Sequence, residues 1–189
     1  MATLIAERIL TGAEFSRLPD PPDGGKMELV RGKIVVMPPT GPIHGERSAD
    51  LVYFLAPFIR GTGIGRLRTE TGYWLGADPD YIRAPDLSFV SEARAIRETL
   101  RDGFVDGPPE LAIEVISPTN REREILEKVE DYLLAGVRRV WAVRPERSTI
   151  TVHRNGEDRS VFARGDTLGS DDAGFEVAGF ALKLSELFR

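Results

Sequence analysis

The sequence predicts an α/β or α+β fold, a β-sheet flanked by helices, and three observations lead there. Short apolar runs with the alternation of strands recur from Met27 to Val177. The clearest helical pattern, after Thr119, stands between strand patterns on both sides, which excludes a purely helical bundle. A composition of 41% hydrophobic and 29% charged residues suits an ordinary globular core.

Thr11 opens a short helix, Gly12–Leu18, which Pro19 ends. Met27–Val30 and Lys33–Met37 read as strands of an N-terminal hairpin, with Arg31-Gly32 as its tight turn. His44–Ile59 is a helix with Leu51, Val52, Leu55 and Phe58 at helical spacing, and Pro57 bears on its last turn. Ile64–Thr69, Gly72–Leu75, Pro85–Val90 and Leu111–Ile116 read as strands. Between the last two, Glu92–Pro109 reads either as a loop over the site or as a helix with Arg94, Arg97 and Arg101 on one face. Thr119 and Glu122 form a capping-box pair for the next helix, and Gly136 stops it. Arg138–Val143 and Thr149–Arg154 follow as strands joined by a turn at Pro145–Ser148. Strands near Arg159–Ala163 and Phe175–Val177 and a short helix, Leu184–Phe188, close the chain.

The 189 residues fit one domain, 1–189. Pro19–Gly25, Pro38–Pro42 and Gly103–Pro109 read as loops, not linkers, and no repeat is visible. No apolar run approaches the roughly 20 residues that span a bilayer. The first residues, with acidic Glu7, do not read as a signal peptide, so a cytoplasmic location is expected. With no cysteine there is no disulfide, thiolate metal site or thiol catalysis. A net charge of −5 leaves no basic coat, so nucleic acid would have to meet a local patch. The 25 basic residues include only four lysines, Lys26, Lys33, Lys128 and Lys183.

Chemistry concentrates in three places. In the strand pattern ELAIEVI, Leu111, Ile113 and Val115 share one face, and Ala112, Glu114 and Ile116 the other. Glu114 thus stands among apolar neighbours, where an ionised carboxylate needs a cation, a metal or a hydrogen-bond donor. The alternative is a strand-end glutamate that reaches water or an arginine. Asp86 follows Pro85 and shares a face with Ser88; it is either a site residue or an ordinary turn aspartate. Lys128 lies at the margin of the helical stripe Ile125, Val129, Tyr132 and Leu133. It either snorkels beside Glu124 or reaches across the sheet edge toward Glu114.

Taken together, Pro85-Asp86, the run Glu114 to Asn120 (EVISPTN), Lys128, Tyr132, Gly136-Val137 and Trp141 to Pro145 (WAVRP) resemble the Uma2 family. That family, formerly the domain of unknown function DUF820, is grouped with the PD-(D/E)XK restriction-endonuclease-like superfamily. Glu28 to Lys33 (ELVRGK), Pro38 and His44 resemble its opening hairpin and the start of its helix. The similarity covers roughly Thr11 to Phe188. It implies a restriction endonuclease-like fold with a central mixed β-sheet flanked by helices. It also implies a Mg2+ or Mn2+ site held by Asp86 and Glu114, with the Val115 carbonyl and waters. The superfamily's usual lysine position, two residues after the glutamate, is Ile116 here, and Lys128 matches the lysine that related sequences carry on the following helix. Arg144 stands where the family pattern commonly has Asp, a departure beyond the proposed site that is expected to alter only a turn contact.

These residue types suit phosphodiester hydrolysis, in which a hard divalent cation on oxygen ligands activates water and offsets charge. Lys128 would stabilise developing charge or orient the water. Accessory candidates are Glu124, for a second metal or for positioning Lys128, and Glu28, where an ion pair is the usual explanation. His44 could touch phosphate or carry a proton, or it caps a helix or lies on the surface, and Tyr132 could shape the site or pack the core. Arg121, Arg123, Arg138 and Arg139 flank the site as phosphate contacts or as solvated surface charge. The expected activity is therefore a Mg2+-dependent endodeoxyribonuclease, a homodimer acting on DNA and not on membranes. Two rivals are a non-catalytic binding or assembly module on the same fold, and a metal-independent carboxylate-pair hydrolase.

Overall fold

The computed structural model describes residues 3–4, 8–155 and 158–189; Glu7 lies outside them. The chain runs through β1 (Thr3–Leu4), α1 (Gly12–Phe15), β2 (Lys26–Val30), β3 (Lys33–Met37), α2 (Pro42–Thr62) and β4 (Gly65–Thr69). Next come β5 (Tyr73–Gly76), β6 (Tyr81–Arg83), β7 (Leu87–Ser91), α3 (Glu92–Ala95), β8 (Leu100–Arg101), β9 (Phe104–Asp106) and β10 (Leu111–Val115). Then follow α4 (Glu122–Leu134), β11 (Arg139–Arg144), a 3-10 turn at Pro145–Arg147, β12 (Thr149–His153) and β13 (Arg159–Ala163). Finally come β14 (Thr167–Gly169), α5 (Ser170–Ala173), β15 (Ala181–Lys183) and α6 (Leu184–Leu187).

A six-stranded mixed sheet, ordered β13-β12-β11-β10-β7-β4, carries the core. Its β10 runs parallel to β11 and antiparallel to β7. Strand alternation gives this sheet two apolar faces. Leu87, Phe89, Leu111, Ile113 and Val115 pack against Leu51, Leu55 and Ile59 of α2. Ala112, Val140 and Ala142 pack against Ile125, Val129 and Tyr132 of α4. Burial on both faces is what a near-continuous apolar strand such as β10 requires. The expected hairpin is present as β2 and β3, with Arg31 and Gly32 both at positive φ (49° and 73°), as a type I′ turn needs. It is paired into a seven-stranded sheet, β1-β3-β2-β6-β5-β9-β8.

Several expectations need correction. The capping box assigned to Thr119 and Glu122 does not form. Asn120 Oδ1 accepts from the Ser117 N–H at 2.8 Å and turns the chain first. The helix therefore starts at Glu122, with Glu124 accepting from the Arg121 N–H at its entry. The strand expected at Phe175–Val177 is absent, because Phe175 is an aromatic plug packed on Phe58, Phe89 and Phe180. Glu92–Pro109 is neither a loop nor one helix: α3 is a single turn, and β8 and β9 form a hairpin. The first helix stops at Phe15, short of Leu18, although Thr11 caps it as expected. The helix expected over His44–Ile59 is longer at both ends, Pro42–Thr62, with Pro57 inside it and a left-handed Gly63 as its cap.

Candidate active site

Sheet register brings the two acidic residues together. In the antiparallel pairing of β10 with β7, Ile113 faces Leu87. Asp86 and Glu114 are the next residues on either strand, so 28 positions of sequence separation close into neighbouring strand ends. Both are buried, at 4% and 8% exposure, as is Glu28 at 1%. Buried charges must be paired, and each of these is.

Asp86 Oδ1 accepts from Lys26 Nζ at 2.9 Å. Its Oδ2 lies 3.0 Å from His44 Nε2 and accepts the Val115 N–H at 2.7 Å. Glu114 accepts from Lys128 Nζ at 3.0 Å and from the Tyr132 hydroxyl at 2.8 Å. Lys128 is 14% exposed and also meets Glu28 Oε1 at 3.0 Å. Glu28 in turn accepts from Arg83 Nη1 at 2.7 Å and from the Ala84 N–H at 3.0 Å. Arg83 continues to Asp131, which Arg31 also meets at 3.1 Å.

Of the two readings of Lys128, the structure selects the reach to Glu114. Tyr132 packs the core and also donates to the site. Glu28 is paired, to a lysine and an arginine, and His44 sits on Asp86 instead of serving as a surface residue. Glu124 lines the cavity beside Lys128 and caps its own helix. Arg144 does more than make a turn contact, since it joins Glu122 at 2.7 Å and ties β11 to the start of α4. Arg123, Arg138 and Arg139 pair with Glu127, Glu176 and Asp171.

Lys26 was not singled out by sequence reasoning. It belongs to β2, 60 positions from Asp86, and contacts Glu70 at 2.8 Å as well. Its scarcity value as one of four lysines was the only available signal. Arg83, which anchors Glu28, lies in β6, a three-residue strand that carries no alternation to read.

The charges interlock. Burial raises the Asp86 pKa, but the His44 hydrogen bond and the Lys26 and Lys128 ammoniums outweigh it and hold the carboxyl below its usual range. Burial likewise opposes charge on Glu28, yet Lys128, Arg83 and Lys26 bring it down to about 2. Glu114 goes the other way: burial raises it, Lys128 offsets part of that, and the Asp86 and Glu28 charges push it further up. Glu114 is thus the least compensated carboxylate of the cluster. Burial and Glu114 also push the Tyr132 hydroxyl well up, so it stays a proton donor.

The cluster opens into a cavity of about 550 Å3 between the loop after β3 and the loop entering α4. Among the described residues, no three His, Cys, Asp or Glu side chains form a metal cage. A magnesium-type ion does not need one, since one or two carboxylates plus waters and substrate phosphates suffice. Asp86 and Glu114 supply hard oxygens, and the under-compensated Glu114 favours added positive charge. The donor set therefore fits such a cation at the end of β10.

A mixed sheet flanked by helices, with an aspartate and a glutamate on adjacent strand ends and a lysine closing on them, has the restriction endonuclease-like fold. The chain matches the Uma2 family, described as "Putative restriction endonuclease", over residues 13–182 and belongs to it. Membership supports a nuclease-like function with nucleic acid as partner. Among solved structures, the fold is similar to that of a protein from Anabaena variabilis described as a putative nuclease belonging to DUF820. The TM-score is 0.76 at 22% identity, over 95% of this chain and 97% of that one. None of the curated proteins matches the sequence. Among the described residues, no helix is long and apolar enough to cross a membrane.

Proposed function

We propose that the chain is a metal-dependent endonuclease that hydrolyses phosphodiester bonds, with DNA as substrate. The observation that carries this reading is the meeting of Asp86 and Glu114 with Lys128 at one cavity. Asp86, Glu114 and the Val115 carbonyl would hold Mg2+ or Mn2+. The cation would supply an activated water and charge compensation at the phosphate. Lys128, held between Glu114 and Glu28, would place its ammonium where negative charge grows on the phosphate oxygens. Tyr132 fixes the Glu114 carboxylate by donating to it. His44 and the Val115 N–H fix Asp86. Glu124, at the cavity mouth, suits a supporting role beside Lys128. A homodimer, one copy per strand, accompanies this reading, and sedimentation at working concentration tests it.

The test compares wild type with Asp86→Ala, Glu114→Ala and Lys128→Ala, using calorimetric titration with Mn2+ and a plasmid-nicking assay. Both carboxylate variants are expected to lose metal binding and nicking. Lys128→Ala is expected to keep metal binding while nicking falls by about 100-fold or more. A wild type that binds no metal even with DNA present overturns the reading. The fully paired state of the Asp86 and Glu114 oxygens then favours the binding-module alternative, and metal-free cleavage would favour the carboxylate-pair hydrolase.

A further inference from the structure

Two of the four lysines in an arginine-rich chain stand at this one site. Lys33 and Lys183 are exposed, whereas Lys26 and Lys128 face the cavity from β2 and from α4. Asp86 and Glu114 each carry an ammonium: Lys128 on Glu114 and Lys26 on Asp86. Lys26 enters from the second sheet, outside the strands that bring Asp86 and Glu114 together.

The residue type matters. An arginine on Asp86 would present a rigid, bidentate fork, whereas a lysine is a compact point charge on a flexible stem. Lys26 also has somewhere to go. Its ammonium already touches Glu70, 2.8 Å away, whose side chain is half exposed. Leaving Asp86 would therefore not leave the charge unpaired. Asp86, for its part, keeps His44 and the Val115 N–H on its other oxygen. Only Oδ1 would change partner, while the carboxylate stays fixed.

We propose that Lys26 is a second functional lysine of this site. It is the resident counter-ion of Asp86, gives up Oδ1 to a divalent cation, and then presents its ammonium to the substrate phosphate from β2, as Lys128 does from α4. This inference rests on the nuclease reading above and adds to it a residue and an exchange of cations.

The test uses the full chain with Lys26→Met, which keeps the stem and removes the charge, and Lys26→Arg, which keeps the charge and changes its shape. Mn2+ affinity is read by calorimetry and nicking on plasmid DNA. Lys26→Met is expected to bind Mn2+ about tenfold more tightly, because a competing unit charge is gone from contact distance. Its nicking is expected to fall by about 100-fold despite the tighter metal. Lys26→Arg is expected to fold as wild type, bind Mn2+ no more tightly, and nick about tenfold more slowly. If Lys26 does not compete with the metal for Oδ1, Lys26→Met binds Mn2+ no more tightly than wild type. That result, or wild-type nicking in either variant, overturns the inference while wild-type activity keeps the nuclease reading intact. A wild type that neither binds Mn2+ nor nicks overturns both.

Discussion

Glu28 shows how one buried side chain can tie several charges of a cluster together. It accepts from Lys128, Arg83 and the Ala84 N–H, and so ties the catalytic-lysine candidate to β2 and β6. Its folded pKa of about 2 lies below the ordinary carboxylate value, so the unfolded chain binds the proton more tightly. The stabilisation is fully present above about pH 4.5 and fades as pH falls toward 2. Asp86 acts in the same direction and Glu114 against it. Thermal unfolding followed from pH 6 to pH 2.5 should therefore show stability dropping on acidification. Glu28→Gln should be less stable by about 3–5 kcal/mol at pH 6, because Lys128 and Arg83 lose a buried counter-charge. Its stability should also depend less on acid. A Glu28→Gln protein with wild-type stability and wild-type acid dependence would remove Glu28 from this role.

At the scale of elements, the site depends on β7 lying against β10 in one register, since slipping by one residue would send Asp86 to the other face. The edge strand β4 braces β7 from the far side, and Gly65 makes that contact possible. A Cβ there would lie 2.2 Å from the Val90 carbonyl oxygen and 2.7 Å from the Phe89 ring. Gly65→Ala should cost about 1–3 kcal/mol in urea unfolding through forced displacement of the strand. No loss would mean β4 is free to shift. Periodicity found β2, β3, α2, β7, β10, α4, β11, β12 and β13 because each shows its own repeat in consecutive residues. It missed β6, β14 and α5, which are three or four residues long. It misassigned Phe175–Val177 because alternation of Phe175 and Val177 also describes a loop that seats an aromatic ring.

At the scale of the whole molecule, charge limits how the protein can hold nucleic acid. The net charge is −5, and Arg123, Arg138 and Arg139 are each matched to a carboxylate. These three arginines, which flank the site in sequence, are therefore already engaged. Binding of an uncleaved DNA oligomer to Glu114→Ala, followed by fluorescence anisotropy, should have a shallow salt dependence, with a slope of log K on log[salt] smaller than about 4 in magnitude. A steeper slope would mean that cations beyond these three arginines carry the DNA.

The sequence alone determined the class of fold, the strands and the helix that bear Asp86, Glu114 and Lys128, and the family. Each rests on signals carried by neighbouring residues. Only the tertiary structure decided which charges meet. Lys26 and Asp86 are 60 positions apart, Glu28 and Arg83 are 55, and Arg83 and Asp131 are 48. No local pattern encodes such pairs, because ion-pair partners are chosen by the packing of one sheet against the other and not by propensity. The acidic pair was visible as two isolated carboxylates. That they share one cavity with two lysines follows from antiparallel register and from a hairpin that a second sheet brings to the mouth of the first.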